Sequence, residues 1–191
     1  MPKLRALICF AAGLLLTGCE VRSLRPLVTE EDAVFEPALL GTWMAKDDDQ
    51  RLTMKFKKSG EKSYDMVLET EKGAAHFDAR LARLESSLFL DLSPRMEEGE
   101  GDSSYVYYSH LIPTHSFARI NVEKNTLSLS SLRHDTIKNL ISQGQLDIGH
   151  EVLDSDVILL TAGTPDLQRF LLQHAEDADV FSSADMLYRQ E

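Results

Sequence analysis

The chain has 191 residues, with 20 basic and 31 acidic side chains and a net charge of −11. Such a balance excludes a surface that grips nucleic acid or anionic lipid headgroups by charge. The length is enough to bury one core, so a single domain is expected.

Lys3 and Arg5 form a short positive start, and residues 7–16 are apolar and uncharged. A membrane-spanning helix needs about 20 apolar residues, so this stretch reads as a signal peptide. It closes on Leu16-Thr17-Gly18-Cys19. These four residues resemble the lipobox of bacterial lipoproteins, which runs Leu, small residue, Gly or Ala, Cys. The resemblance implies diacylglycerol transfer to the Cys19 sulfur, cleavage before Cys19, and acylation of the new amine, for example by palmitate. One acyl chain binds a bilayer only marginally at about 0.8 kcal/mol per buried methylene, so two or three chains are needed for durable attachment. In Gram-negative lipoproteins an Asp after the cysteine signals retention in the inner membrane. Glu20 departs from that signal, and the implied location is the outer membrane facing the periplasm. Loss of residues 1–18 removes Lys3 and Arg5 and carries the net charge from −11 to −13. Cys9 leaves with the signal and Cys19 is lipidated, so no thiol remains for a disulfide, a metal site or a nucleophile.

Residues 20–35 carry Arg22, Arg25, Pro26 and an acidic Glu30-Glu31-Asp32 run, and read as a spacer. The expected division is therefore a signal peptide over 1–18, a lipidated N-terminus and spacer over 19–37, and a β-rich domain over 38–191. Asp47-Asp48-Asp49 reads as a turn. Residues 51–57 alternate, with Leu52, Met54 and Phe56 on one face, and Tyr64, Met66 and Leu68 repeat the pattern. Period-2 alternation predicts half-buried strands. Residues 75–84 alternate too, and 88–92 form a more continuous apolar strand. Residues 94–104 read as an exposed acidic loop. Residues 105–112 are aromatic and apolar, and suit a strand or a short helix. Residues 115–123 and 126–132 suggest a hairpin around Lys124-Asn125.

Residues 135–143 have helical spacing, and Gly144 can end the helix. Residues 146–153 and 157–161 should pair across the Asp154-Ser155-Asp156 turn. Thr164 and Pro165 suggest an N-cap and a first helical position. Leu167, Phe170, Leu171 and His174 then form an amphipathic stripe. Residues 186–189 suit a short closing strand. Short strands at regular spacing with frequent turns predict an antiparallel barrel or sandwich.

Gly41-Thr42-Trp43 on the first strand, the meander over 51–161, the helix over 164–175 and the strand over 186–189 resemble the lipocalin or calycin architecture. The Leu39-Leu40-Gly41-Thr42-Trp43 opening is also similar to other exported bacterial lipoproteins, a label that carries no activity. The lipocalin Thr-Asp-Tyr loop is missing, and the helix over 135–143 departs from that barrel. The expected fold is thus mainly β. It is a single antiparallel barrel or barrel-like sheet of lipocalin-like character, with a short internal helix and a C-terminal helix.

No residue pattern predicts catalysis, a cofactor or a metal. His110 and His115 stand five apart across Pro113, a poor spacing for shared ligation, and read as loop histidines. His134-Asp135 lacks a Gly-x-Ser-x-Gly partner and reads as an acid at a helix start. Asp47-Asp48-Asp49 and the acids over 97–102 lack the ligand order of a calcium loop. Trp43, the one tryptophan, reads as core. Tyr105, Tyr107 and Tyr108 form the candidate contact surface, since tyrosine is favoured at interfaces. The expected function is a non-enzymatic exported lipoprotein, attached to the bilayer through Cys19. Its expected partner is a small apolar ligand or lipid within the barrel. The alternative is a structural or assembly lipoprotein that holds an envelope protein.

Overall fold

The computed structural model describes residues 20–45, 52–95, 110–153 and 156–190. Strands β1 (Val21–Ser23) and β2 (Ala33–Val34) lead through a 3-10 turn (Pro37–Leu39) into β3 (Gly41–Ala45). A meander follows: β4 (Thr53–Lys58), β5 (Ser63–Thr70), β6 (Gly73–Leu84), β7 (Ser87–Pro94), β8 (Ser116–Val122) and β9 (Thr126–Ser131). Helix α1 (His134–Ser142), the hairpin β10 (His150–Val152) and β11 (Ile158–Leu160), helix α2 (Thr164–Gln173) and β12 (Asp185–Gln190) come next.

Eight of these strands close into an antiparallel barrel in the order β3–β4–β5–β6–β7–β8–β9–β12, with β12 returning to β3. Leu187 of β12 stands opposite Leu127 on one side and Ala45 on the other, so the expected closing strand is the element that seals the barrel. β6 is long because it pairs with two barrel strands over different stretches. Its first two-thirds pair with β5 and its last two-thirds with β7. Closure removes the free edges that a β-sheet otherwise leaves open to association. This barrel is compatible with a lipocalin-like one.

The alternation sorts side chains as expected. Met54, Phe56, Tyr64, Met66, Leu81, Leu90 and Leu127 point into the barrel and are almost fully buried. Asp65, Lys55 and Glu69 point outward, where Lys55 Nζ meets Glu69 Oε1 at 2.6 Å. β7 breaks the alternation because both of its faces are covered. Leu88, Leu90 and Leu92 enter the barrel, while Phe89 faces a second hydrophobic layer outside it. That layer packs Leu167, Phe170 and Leu171 of α2, Ile137 of α1 and Ile158 and Leu160 of β11 against Ala82, Leu84, Phe89 and Phe117 of the wall. Burying each of these large side chains contributes roughly 1.5–3 kcal/mol.

Two expectations are corrected. Residues 20–35 are not a free spacer but a strap built into this outer layer. β1 pairs in parallel with β11, β2 pairs with β6, and Leu27 and Val28 are buried. The strap is held by α2: Thr164 Oγ1 donates to Pro26 O (2.7 Å), and Gln168 Nε2 donates to Leu27 O (2.9 Å) and Asp32 Oδ2 (2.7 Å). The Asp32 carboxyl is held below its ordinary range by the bonds from Thr29 and Gln168. The cap of α2 is the second correction. Gly163, not Thr164, is its N-cap, because the Thr164 hydroxyl is spent on the strap.

Candidate functional site

At the barrel end where β3 begins, a cation is held over the one tryptophan. Arg189 of β12 lies over the Trp43 ring, with its guanidinium carbon 4.2 Å from the centroid. It donates to Leu40 O (2.7 Å), Ala38 O (2.5 Å) and Lys124 O (3.0 Å), tying together the segment before β3 and the β8–β9 turn. Trp43 is fully buried and its Nε1 donates to Leu39 O at 2.8 Å. Gly41 has a φ of +120°, and a Cβ there would meet Arg189 Nη1 at 2.7 Å. The Gly-x-Trp spacing thus has a physical cause: glycine admits the guanidinium, and tryptophan two residues on receives it. Nearby, Glu36 N donates to Tyr64 Oη at 2.7 Å and Phe35 stacks on the Tyr64 ring at 5.0 Å. Burial pushes the Tyr64 hydroxyl up.

A groove of about 440 Å³ crosses the barrel rim. Leu88, Ile120 and Val122 border it from the interior side. The outward neighbours Arg119, Asn121, Ser128 and Ser130 alternate with them and give it a polar wall. Arg119 sits 5.4 Å above the Phe181 ring and 3.3 Å from Glu176 Oε1, a largely exposed carboxylate. Arg83, exposed at the end of β6, adds a second cation. The same groove is lined by Glu36 and Glu176, so its two arginines stand among acids of the groove's own wall.

Asp91 is a polar residue that the sequence reading passed over. It is only 4% exposed, on the outward face of β7. Its Oδ2 accepts from Leu27 N at 2.8 Å and its Oδ1 accepts from His115 Nδ1 at 2.7 Å. His115 is therefore not a plain loop histidine, and its ring is oriented by a buried carboxylate. The pair fastens the strap and the approach to β8 onto the barrel. A single acid inside the run Leu88-Phe89-Leu90-Asp91-Leu92 was the available signal. His110 is exposed. His134 Nε2 donates to Asp156 O at 2.7 Å, and Asp135 occupies the first turn of α1, where an acid is favourable. The Asp156 carboxyl is held low by Lys138, 2.6 Å away. Among the described residues no group of three or more His, Cys, Asp or Glu is placed to hold a metal.

Leu16, Thr17, Gly18 and Cys19 lie outside the described residues, as do Tyr105, Tyr107 and Tyr108, Asp47-Asp48-Asp49 and the acids over 97–102. Leu111 and Ile112, expected within a strand or helix, lie in irregular exposed backbone. No helix among the described residues is long and apolar enough to cross a membrane. No family model, curated protein or solved structure matches this chain.

Proposed function

We propose that the chain is an exported lipoprotein, anchored through acylated Cys19, whose barrel serves as a rigid scaffold for an envelope protein. The observation behind the scaffold role is the occupancy of the barrel by its own side chains. Trp43, Met54, Phe56, Tyr64, Met66, Leu81, Leu90 and Leu127 are each at most 2% exposed. Ligand sites in barrels are concave and leave room of about 300–1,000 Å³ for the guest. Here these aromatic and aliphatic side chains pack against one another in a single buried cluster. The anchor rests on the signal-peptide pattern that ends at Cys19, and an outer-membrane, periplasm-facing location rests on Glu20. The rim groove, with Arg83, Arg119, Glu36 and Glu176 on its wall, is the surface suited to a polar segment of a partner. No step of bond chemistry is assigned to the domain.

Native mass spectrometry of the delipidated domain, after incubation with a total envelope lipid extract, tests the scaffold role. The expected result is the mass of the polypeptide alone. Stoichiometric retention of a lipid, abolished by narrowing the interior with Ala79→Phe, would replace the scaffold with a ligand carrier.

A further inference from the structure

Strand register fixes where the N-terminal segment enters the fold. Val21 stands opposite Ile158, and Ile158 stands opposite Val152, so β1, β11 and β10 share one row there. Ile158 N donates to Glu20 O at 3.0 Å. The arms of the β10–β11 turn meet just beyond, where Leu153 N donates to Val157 O at 2.9 Å. The turn and Glu20 are therefore at the same end of the three-stranded sheet. At that end Val152 is 47% and Leu153 45% exposed.

Glu20, the residue after Cys19, is held at this end. A free spacer over residues 20–35 would reach about 50 Å when extended. Instead Glu20 is already fixed, by its carbonyl and by its ion pair with Arg22 at 2.5 Å, with its side chain 13% exposed. The Cα of Cys19 is one peptide unit away, about 3.8 Å. Whatever is attached to Cys19 is therefore tethered within one peptide unit of Glu20, which lies at the end of the sheet that carries the β10–β11 turn.

We propose that this end of the three-stranded sheet is a bilayer-contact surface: the lipids on Cys19 hold it flush with the membrane, and Val152 and Leu153 enter the interfacial layer. The proposal rests on the Cys19 anchor. Apolar residues beside a lipid anchor add buried area at the headgroup boundary. The local charges suit a zwitterionic surface rather than an anionic one. Glu20 is paired with Arg22, Asp156 with Lys138, and Glu151 is exposed. The geometry also orients the barrel. Ser23 faces His115 in antiparallel sense, so Glu20 lies toward the C-terminal end of β8. The β6–β7 turn is at that end, and the β5–β6 turn is at the other.

The test uses the full chain, matured in a bacterial envelope and reconstituted in phosphatidylcholine vesicles brominated near the acyl carbonyls. Leu153→Trp is the probe, Val152→Trp a second one, and Lys72→Trp on the β5–β6 turn the remote control. Buried Trp43 supplies a constant background. Quenching of about twofold is expected at 152 and 153 and none at 72, as for residues at the headgroup–acyl boundary. A flexible insert of about ten residues after Cys19, beginning with Glu, should abolish the quenching and leave palmitate labelling intact. Labelled, vesicle-bound protein that shows equal quenching at all three positions, or none at 152 and 153, overturns the flush orientation while the anchor stands. Loss of both labelling and vesicle association overturns the anchor itself, and this surface with it. A concentration-dependent blue shift of the 153 probe in detergent would assign the patch to a second copy of the chain and overturn the proposal.

Discussion

Gly41→Ala should cost more stability in the presence of Arg189 than in its absence. Two effects add at this position. The first is the backbone: φ is +120°, a region costly to any residue with a Cβ, at about 1–3 kcal/mol. The second is collision, since the new Cβ would sit 2.7 Å from Arg189 Nη1. Relieving it means moving a guanidinium that is bonded to three carbonyls and stacked on Trp43. Loosening part of that set should cost about 1–2 kcal/mol more, a typical coupling for residues in contact. The sum of roughly 2–5 kcal/mol corresponds to a fall in Tm of about 4–20 °C for a chain of this size. In an Arg189→Ala background only the backbone part should remain. Urea unfolding followed by Trp43 emission gives all four corners of the cycle. Arg189→Lys, which keeps the charge but not the three-way bonding, should fall between wild type and Arg189→Ala. A coupling below about 0.5 kcal/mol would refute the idea that Gly41 exists to admit Arg189.

Leu27→Ala should destabilise by about 2–5 kcal/mol in urea melts, because Leu27 is wholly buried in the outer layer; a true spacer residue would cost almost nothing. Asp91→Ala should cost about 2–4 kcal/mol by stranding Leu27 N and His115 Nδ1, and should be non-additive with Leu27→Ala. Asp185→Asn should raise Tm at pH 7. Burial pushes the Asp185 carboxyl up from its ordinary 3.8, so its charge weakens the fold at neutral pH. Folding then takes up a proton between the ordinary and the raised value, so the gain should shrink as the pH falls through that window and vanish below it. A pH-independent gain in scanning calorimetry would contradict that cause.

The barrel was legible where strands are covered on one face only. Met54, Phe56, Tyr64, Met66 and Leu68 carry a period of two because their neighbours Lys55, Asp65 and Glu69 stay in water. β7 shows the limit of that signal, since Phe89 and Leu90 are both buried, against different layers. The strap was not legible. It follows the contour of α2 and β6 without a repeat, so Leu27 and Val28 stand as isolated apolar residues among Arg25, Pro26 and Glu30. The cation held at the barrel end depends on Trp43 and Arg189, which are distant in sequence and joined only by strand register. No local pattern marks such a pair, although Gly41-Thr42-Trp43 does open the first barrel strand. Thr164 has the side chain of an N-cap but sits one position inside the helix, because its hydroxyl serves Pro26 rather than its own helix.

The most direct test of the whole account is the mass of the N-terminal peptide from protein extracted out of the membrane fraction. The account predicts a peptide that begins at Cys19, carries diacylglycerol on sulfur and an acyl group on nitrogen, and is absent from a Cys19→Ser variant. A mature chain that retains residues before Cys19, or that presents Cys19 as a free thiol, would contradict it.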